Sequence, residues 1–183
     1  MINIKDRKRI KDYIKEKIAI YKDFPVPGIS FKDINSVIRD PEAFRYVTDE
    51  FYRIAKALDI NIICIPEARG YIFGSPLAYK LGVGLVPIRK PGKLPGKVMS
   101  TDYSLEYGNN TVEVQKHAIN PGDRVLIIDD LLATGGTMKA AIKLVEMLGG
   151  EVVGALFLIE LTDLKGREAL KDYYVESLVE FAI

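Results

Sequence analysis

Apolar residues recur along this chain with two different periods. Ile4, Ile10, Ile14 and Ile18 stand among Lys, Arg and Asp, a narrow stripe that predicts an amphipathic helix over residues 4–20. Its basic face reads as solvated surface. Two prolines and a glycine in DFPVPGISF, Asp23 to Phe31, break that pattern. DPEAFRYVTDEFYRIAKAL, Asp40 to Leu58, predicts a second helix, with Asp40 as N-cap and Pro41 at the first helical position.

Beyond Leu58 the pattern shortens. NIICIPEARG, VGLVPI, RVLIIDD and EVVGALFLIEL contain short continuous runs of Val, Ile and Leu. Between them, Tyr71 to Leu81 and TMKAAIKLVEM have helical spacing and end in glycine. Such alternation predicts βαβ units and an α/β fold, with a mainly parallel central sheet flanked by helices. Residues 97–116 differ in character. Two weakly alternating segments flank YGNN, whose Gly-Asn pair favours a turn, so an inserted β-hairpin flap is expected there.

No linker, repeat or low-complexity tract divides the sequence, and 183 residues suit a single domain, 1–183, that folds without staples. Twenty-six Lys and Arg against 25 Asp and Glu give a formal charge of +1. That balance argues against wholesale nucleic-acid binding, which draws on many phosphate contacts, and makes any basic site local. The single cysteine, Cys64, and single histidine, His117, exclude a disulfide framework and a Cys/His zinc site within one chain. They leave a Ser-His-Asp triad only if His117 supplies it. Cys64 is expected in the core, His117 in solvent, and Glu160 as a strand-end cap. The MINIKDRKRIKDYIKEK start is too charged for a signal-peptide core. The longest apolar run, Val152 to Ile159, is shorter than the roughly 20 residues of a transmembrane helix. A soluble, cytoplasmic protein with no membrane partner is expected.

The most informative block runs from Val125 to Thr137, VLIIDDLLATGGT. A buried strand delivers Asp129 and Asp130 at its C-terminal end, where open α/β sheets bind ligands. Thr134-Gly135-Gly136-Thr137 then opens a helix, whose free N–H groups form an anion site. The glycines allow close backbone approach to a phosphate, and the threonine hydroxyls add donors. Two adjacent acids beside an anion site need hydroxyl donors or a cation, which a ribose diol or Mg²⁺ would provide. Together these features describe a ribose-5-phosphate site. Neither GxxxxGK[ST] nor GxGxxG is present.

This block resembles the phosphoribosyl-diphosphate motif of the type I phosphoribosyltransferases. The resemblance implies that Asp129 and Asp130 hold the ribose hydroxyls, directly or through Mg²⁺ and water, while Ala133 to Thr137 wrap the 5-phosphate. Family members that use 6-oxopurines usually place an aspartate where this chain has Ala133. The segments DFPVPGISFKDI, EARGYIFGSPLA, VPIRKPGKLPGKV, YSLEYG and LKGRE are similar, in unbroken order, to the adenine-specific branch. That likeness implies transfer of phosphoribose from phosphoribosyl diphosphate to adenine, giving AMP and diphosphate, with Mg²⁺ as cofactor.

On the same resemblance, Glu106 handles the proton at the adenine imidazole and Tyr107 helps seal the flap. Arg69, Arg89 and Lys93 hold the diphosphate, with Arg89 and Lys93 reaching across a homodimer. Adenine lies on Phe31 within an N-terminal hood, about residues 1–35, and its edge is read by the backbones of Ser30 and Lys32. Relatives usually carry an apolar residue at the Ser30 position. Two other readings stay open at this level: the same chemistry on xanthine or a 6-oxopurine, and a regulator that senses the ligand and binds nucleic acid.

Overall fold

The computed structural model describes residues 4–105 and 108–183. The chain starts with helix α1 (Ile4–Lys17), the hairpin strands β1 (Ala19–Lys22) and β2 (Ser30–Asp33), and helices α2 (Asn35–Arg39) and α3 (Pro41–Lys56). A first βαβ unit follows: β3 (Ile62–Pro66), α4 (Gly70–Leu81) and β4 (Gly84–Ile88). After the antiparallel pair β5 (Val98–Leu105) and β6 (Gly108–Gln115) come β7 (Arg124–Leu132), α5 (Gly136–Met147) and β8 (Glu151–Leu161). A 3₁₀ turn at Thr162–Leu164 and the short helix α6 (Gly166–Ala169) lead into β9 (Val175–Phe181).

The central sheet has the order β4-β3-β7-β8-β9, and every neighbouring pair is parallel. Its strands read as continuous apolar runs because helices cover both faces. Leu156, Phe157, Leu158 and Ile159 of β8 are buried, each contributing roughly 1.5–3 kcal/mol. Cys64 lies in β3, fully buried, and burial pushes its thiol pKa upward. It is core, as its strand position implied, and His117 is exposed.

Helix α1 stops at Lys17, three residues short of the end expected at residue 20. The hydroxyl of Ser36 donates to the Lys17 carbonyl, and residues 19–22 pair antiparallel with 33–30, so backbone partners outside the helix win. Asp40 caps α3 as its sequence position implied, accepting from the backbone N–H groups of Glu42 and Ala43 at 3.0 and 3.1 Å. Its other oxygen takes Lys17 Nζ at 2.7 Å and the Tyr13 hydroxyl at 3.0 Å, tying α1 to α3.

The inserted hairpin is present, with the Gly-Asn pair expected in its turn standing in a strand instead. Leu105 pairs with Gly108, so Gly108-Asn109 lies inside β6. The base of the hairpin is fixed to the body. Val112 and Val114 are buried, and Arg89 and Glu113 exchange backbone hydrogen bonds of 2.9 and 2.7 Å.

Candidate active site

The sheet order fixes where a ligand can lie. From β3 the chain moves outward to β4, whereas from β7 it moves the other way to β8 and β9. The crevice between the C-terminal ends of β3 and β7 is therefore the switch point of the sheet, the usual ligand position in such folds. The loop after β3 carries Glu67 and Arg69, and the loop after β7 with the start of α5 carries Ala133 to Thr137.

Gly70 lets the two loops meet. A Cβ at this position would stand 2.5 Å from Ile65 Cγ2 and 2.8 Å from the Ile128 carbonyl oxygen, so only glycine allows α4 to start so close to the end of β7. Arg69, immediately before it, places Nε 2.9 Å from Asp130 Oδ2. That oxygen is buried and accepts no directed hydrogen bond among the described residues. Asp129 Oδ1 accepts the backbone N–H of Asp130 at 2.8 Å. Burial first, and then the charge of Asp130, holds the Asp129 carboxyl well above the usual carboxylate range. Burial also raises Asp130, against the pull of Arg69. The pair is poised to accept a cation or hydroxyl donors, either of which would relieve its desolvated charge.

Beside the acids, residues 133–137 line a small hollow of about 110 Å³ closed by Phe157. Gly135 has φ +83°, the left-handed conformation, and stands at the N-cap of the twelve-residue helix α5. The first turn of α5 contributes Gly136, Thr137 and Met138 to the lining, and the N–H groups of a helix's first turn lack intrahelical partners, an arrangement suited to a phosphate.

The N-terminal hairpin supplies a second, larger cavity of about 540 Å³, lined by Tyr21, Phe24, Phe31, Asp33, Ile34 and Arg69 among others. Phe24 meets Phe31 edge-on at 5.2 Å, and the Arg69 guanidinium lies 5.7 Å from the Phe31 ring centre. Arg69 thus joins the aromatic cavity to the acidic pair. Lys32 turns to the opposite face of β2 from Phe31. It is buried, donates to the Ser30 hydroxyl at 2.7 Å and lies 5.4 Å from the Phe181 ring centre. Burial lowers its pKa. Ser30 thereby gives the buried Lys32 an acceptor that an apolar side chain at this position would not provide.

A family model described as "Phosphoribosyl transferase domain" matches residues 41–182. An adenine phosphoribosyltransferase of Alkaliphilus oremlandii is 56% identical over 168 residues, 92% of this chain and 98% of that protein. One from Clostridium perfringens is 55% identical over 170 residues, 93% and 99% of the two chains. The chain belongs to the adenine phosphoribosyltransferase family. Among solved structures of adenine phosphoribosyltransferases, that from Thermoanaerobacter pseudethanolicus matches with a TM-score of 0.88 at 52% identity, covering 93% of this chain and 99% of that one. The Saccharomyces cerevisiae protein, complexed with an imino-altritol bisphosphate and adenine, matches at 0.89 and 40% identity, covering 94% and 99%. The type I phosphoribosyltransferase fold expected from the motifs is the fold observed.

Within this chain, the structure gathers Arg69, Phe31, Asp129, Asp130 and Ala133 to Thr137 at one crevice. Glu106 and Tyr107 lie outside the described residues. Arg89 is engaged within its own chain: its Nε and Nη2 donate to Glu67 Oε2 at 2.9 and 2.7 Å, while Lys93 is exposed on the following loop. Glu67 was missed in the sequence, although it stands two residues before Arg69 in EARG. Its other oxygen accepts the Lys90 N–H at 2.7 Å, and that bond, aided by Arg89, lowers its pKa. Glu160 is not a strand-end cap. It is buried and forms an ion pair with Arg167.

Proposed function

We propose that the two halves of this crevice divide one reaction between them. The chain transfers 5-phosphoribose from phosphoribosyl diphosphate to adenine, giving AMP and diphosphate, a purine-salvage reaction. The observation that carries this reading is the position of Arg69, between an aromatic cavity roomy enough for a purine and an acidic pair whose Asp129 lines the phosphate hollow.

In the sugar-phosphate half, the N–H groups and hydroxyls of Ala133, Thr134, Gly135, Gly136 and Thr137 bind the 5-phosphate. Asp129 and Asp130 take the ribose hydroxyls. The donor set fits Mg²⁺ only as a guest of the substrate. Asp129 lines the hollow, the adjacent Asp130 has a buried oxygen lacking a hydrogen bond, and no cluster of three His, Cys, Asp or Glu is present among the described residues. Mg²⁺ of this kind is bound through one or two carboxylates plus substrate oxygens, and when bound it would neutralise charge on the diphosphate. Asp129 and Asp130 are the residues that would hold it, directly or through water.

Arg69 stabilises the diphosphate as the bond to the anomeric carbon breaks, leaving oxocarbenium-like charge on the ribose. Arg89 and Lys93 complete that clamp across a homodimer, Arg89 after exchanging Glu67 for the diphosphate. In the purine half, Phe31 stacks on adenine while the backbones of Ser30 and Lys32 read its edge. Adenine attacks through N9, and the Glu106 carboxyl, closed over the site by the flap with Tyr107, balances charge at N7. The enzyme acts in the cytoplasm as at least a dimer, and no helix among the described residues is long and apolar enough to cross a membrane.

The test is AMP formation from phosphoribosyl diphosphate and Mg²⁺ with adenine, hypoxanthine, guanine and xanthine in parallel. Turnover with adenine alone is expected. Turnover only with an oxopurine overturns the roles of Ala133, Phe31 and Glu106. Diphosphate binding without turnover on any base moves the regulator reading forward.

A further inference from the structure

The LKGRE segment, Leu164 to Glu168, has no part in the reaction as described so far, yet it lies directly beneath the phosphate hollow. A Cβ on Gly166 would stand 2.2 Å from the Ala133 carbonyl oxygen and 2.8 Å from Leu132 Cδ1. From the other side, a Cβ on Gly135 would stand 3.1 Å from the Gly166 carbonyl oxygen and 3.2 Å from Ala169 Cβ. The loop that wraps the phosphate therefore rests, backbone against backbone, on the single turn of α6.

A four-residue helix does not hold its own position, because a helix this short is far below the length that is stable alone. Its anchor is Arg167. The guanidinium is forked on Glu160, with Nε donating to Oε1 at 3.1 Å and Nη2 to Oε2. Its Nη1 donates to the Val175 carbonyl at 2.7 Å. Ser177 completes the group, its hydroxyl donating to Glu160 Oε2 at 2.8 Å. Burial pushes the Glu160 carboxyl up, but the bonds from Arg167 and Ser177 outweigh it, so the net shift is downward and the carboxyl stays ionised. One planar cation thus pins α6 to the end of β8 and the start of β9, the two strands beyond the phosphate loop. Bidentate arginine–carboxylate geometry gives the pin direction as well as strength.

We infer that Arg167, held by Glu160, is a positioning residue for the 5-phosphate: it fixes α6 as the floor on which the Ala133–Thr137 loop is shaped. The inference rests on the phosphate reading of that loop. It assigns Arg167 no contact with substrate.

Two ligands separate this role from a general loss of stability. Calorimetric binding of ribose 5-phosphate reports the phosphate half alone, and binding of adenine in the presence of ribose 5-phosphate reports the purine half. A misplacement of about 1 Å at the floor is expected to weaken ribose 5-phosphate binding ~10-fold or more in Arg167→Met. Adenine binding, measured at saturating ribose 5-phosphate, stays within about two-fold on the same grounds. Arg167→Lys, which keeps the charge without the fork, recovers part of the loss. In turnover, the KM for phosphoribosyl diphosphate rises while kcat at saturation is largely kept.

Gly166→Ala gives an independent route to the same end, since its methyl group presses on the Ala133 carbonyl and leaves the ion pair alone. It carries the test if Arg167→Met does not fold. Unchanged ribose 5-phosphate affinity in folded Arg167→Met or Gly166→Ala overturns the inference, as does an equal loss for both ligands. Failure of the wild-type chain to bind ribose 5-phosphate at all would instead overturn the phosphate reading of the loop.

Discussion

Arg69 Nε lies 2.9 Å from Asp130 Oδ2, and that buried oxygen accepts no directed hydrogen bond among the described residues. The arginine is thus an electrostatic partner held loosely enough to turn toward a leaving group. Arg69→Gln removes the cation from the position where diphosphate charge develops. Turnover is expected to fall by roughly 10²–10³, the cost of deleting one aimed donor in a site of this kind. Steady-state rates at saturating adenine check this, and a wild-type kcat would remove Arg69 from the chemistry.

Asp129 sets a limit on how stable the empty site can be. Burial and the neighbouring Asp130 charge raise its pKa above the ordinary value. The folded protein therefore binds more protons there than the unfolded chain does, and stability falls as pH rises from about 3.9, the ordinary value, through the raised one. Asp129→Asn keeps an acceptor for the Asp130 N–H but abolishes the ionisation. The variant is expected to melt higher than wild type at pH 7, with a gain that shrinks as pH approaches 4, and to lose transfer activity. Melting curves at the two pH values decide; a lower midpoint at pH 7 contradicts the assignment.

Gly135 combines φ +83° with close contact to Gly166 and Ala169. Gly135→Val meets both obstacles, a left-handed backbone costing roughly 1–2 kcal/mol for an L-residue and a collision with the floor. Affinity for phosphoribosyl diphosphate is expected to collapse. Titration of the folded variant is the check, and undiminished affinity would refute the placement of the phosphate at this loop.

Glu106→Gln tests the flap. A carboxamide fills the same space but holds no transferable proton at N7, so turnover should drop by about 10²–10⁴, the usual span for general acid–base groups. Phosphoribosyl-diphosphate binding should be nearly intact. Pre-steady-state AMP formation distinguishes this from slowed product release; an unaltered chemical step would exclude Glu106 from it.

The βαβ units were legible because their signals are local. Continuous apolar runs give β3, β7 and β8, glycine ends α4, and Asp40-Pro41 starts α3. Asp129 to Thr137 could be placed at a strand end and helix start for the same reason. What escaped depends on partners distant in sequence. Strand β1 forms because residues 19–22 find 30–33 across a proline-containing loop, and β9 because VESLVEF lies along β8. Arg89 is held by Glu67 on a neighbouring loop, a contact that spacing does not announce. Glu160 shows the same limit most sharply: its burial with Arg167 and Ser177 needs two further segments to arrive before the carboxylate has any partner.

The hairpin of β1 and β2 forms a sheet of its own, with no strand shared with the five-stranded body. On the proposed assignment of the site, base choice and sugar-phosphate handling are built on separate hydrogen-bonded frameworks bridged by Arg69. Lineages can therefore remodel the hairpin to accept a different heterocycle without disturbing the register of the strands beneath, and a transplanted hairpin is the smallest unit by which a new base preference could be engineered.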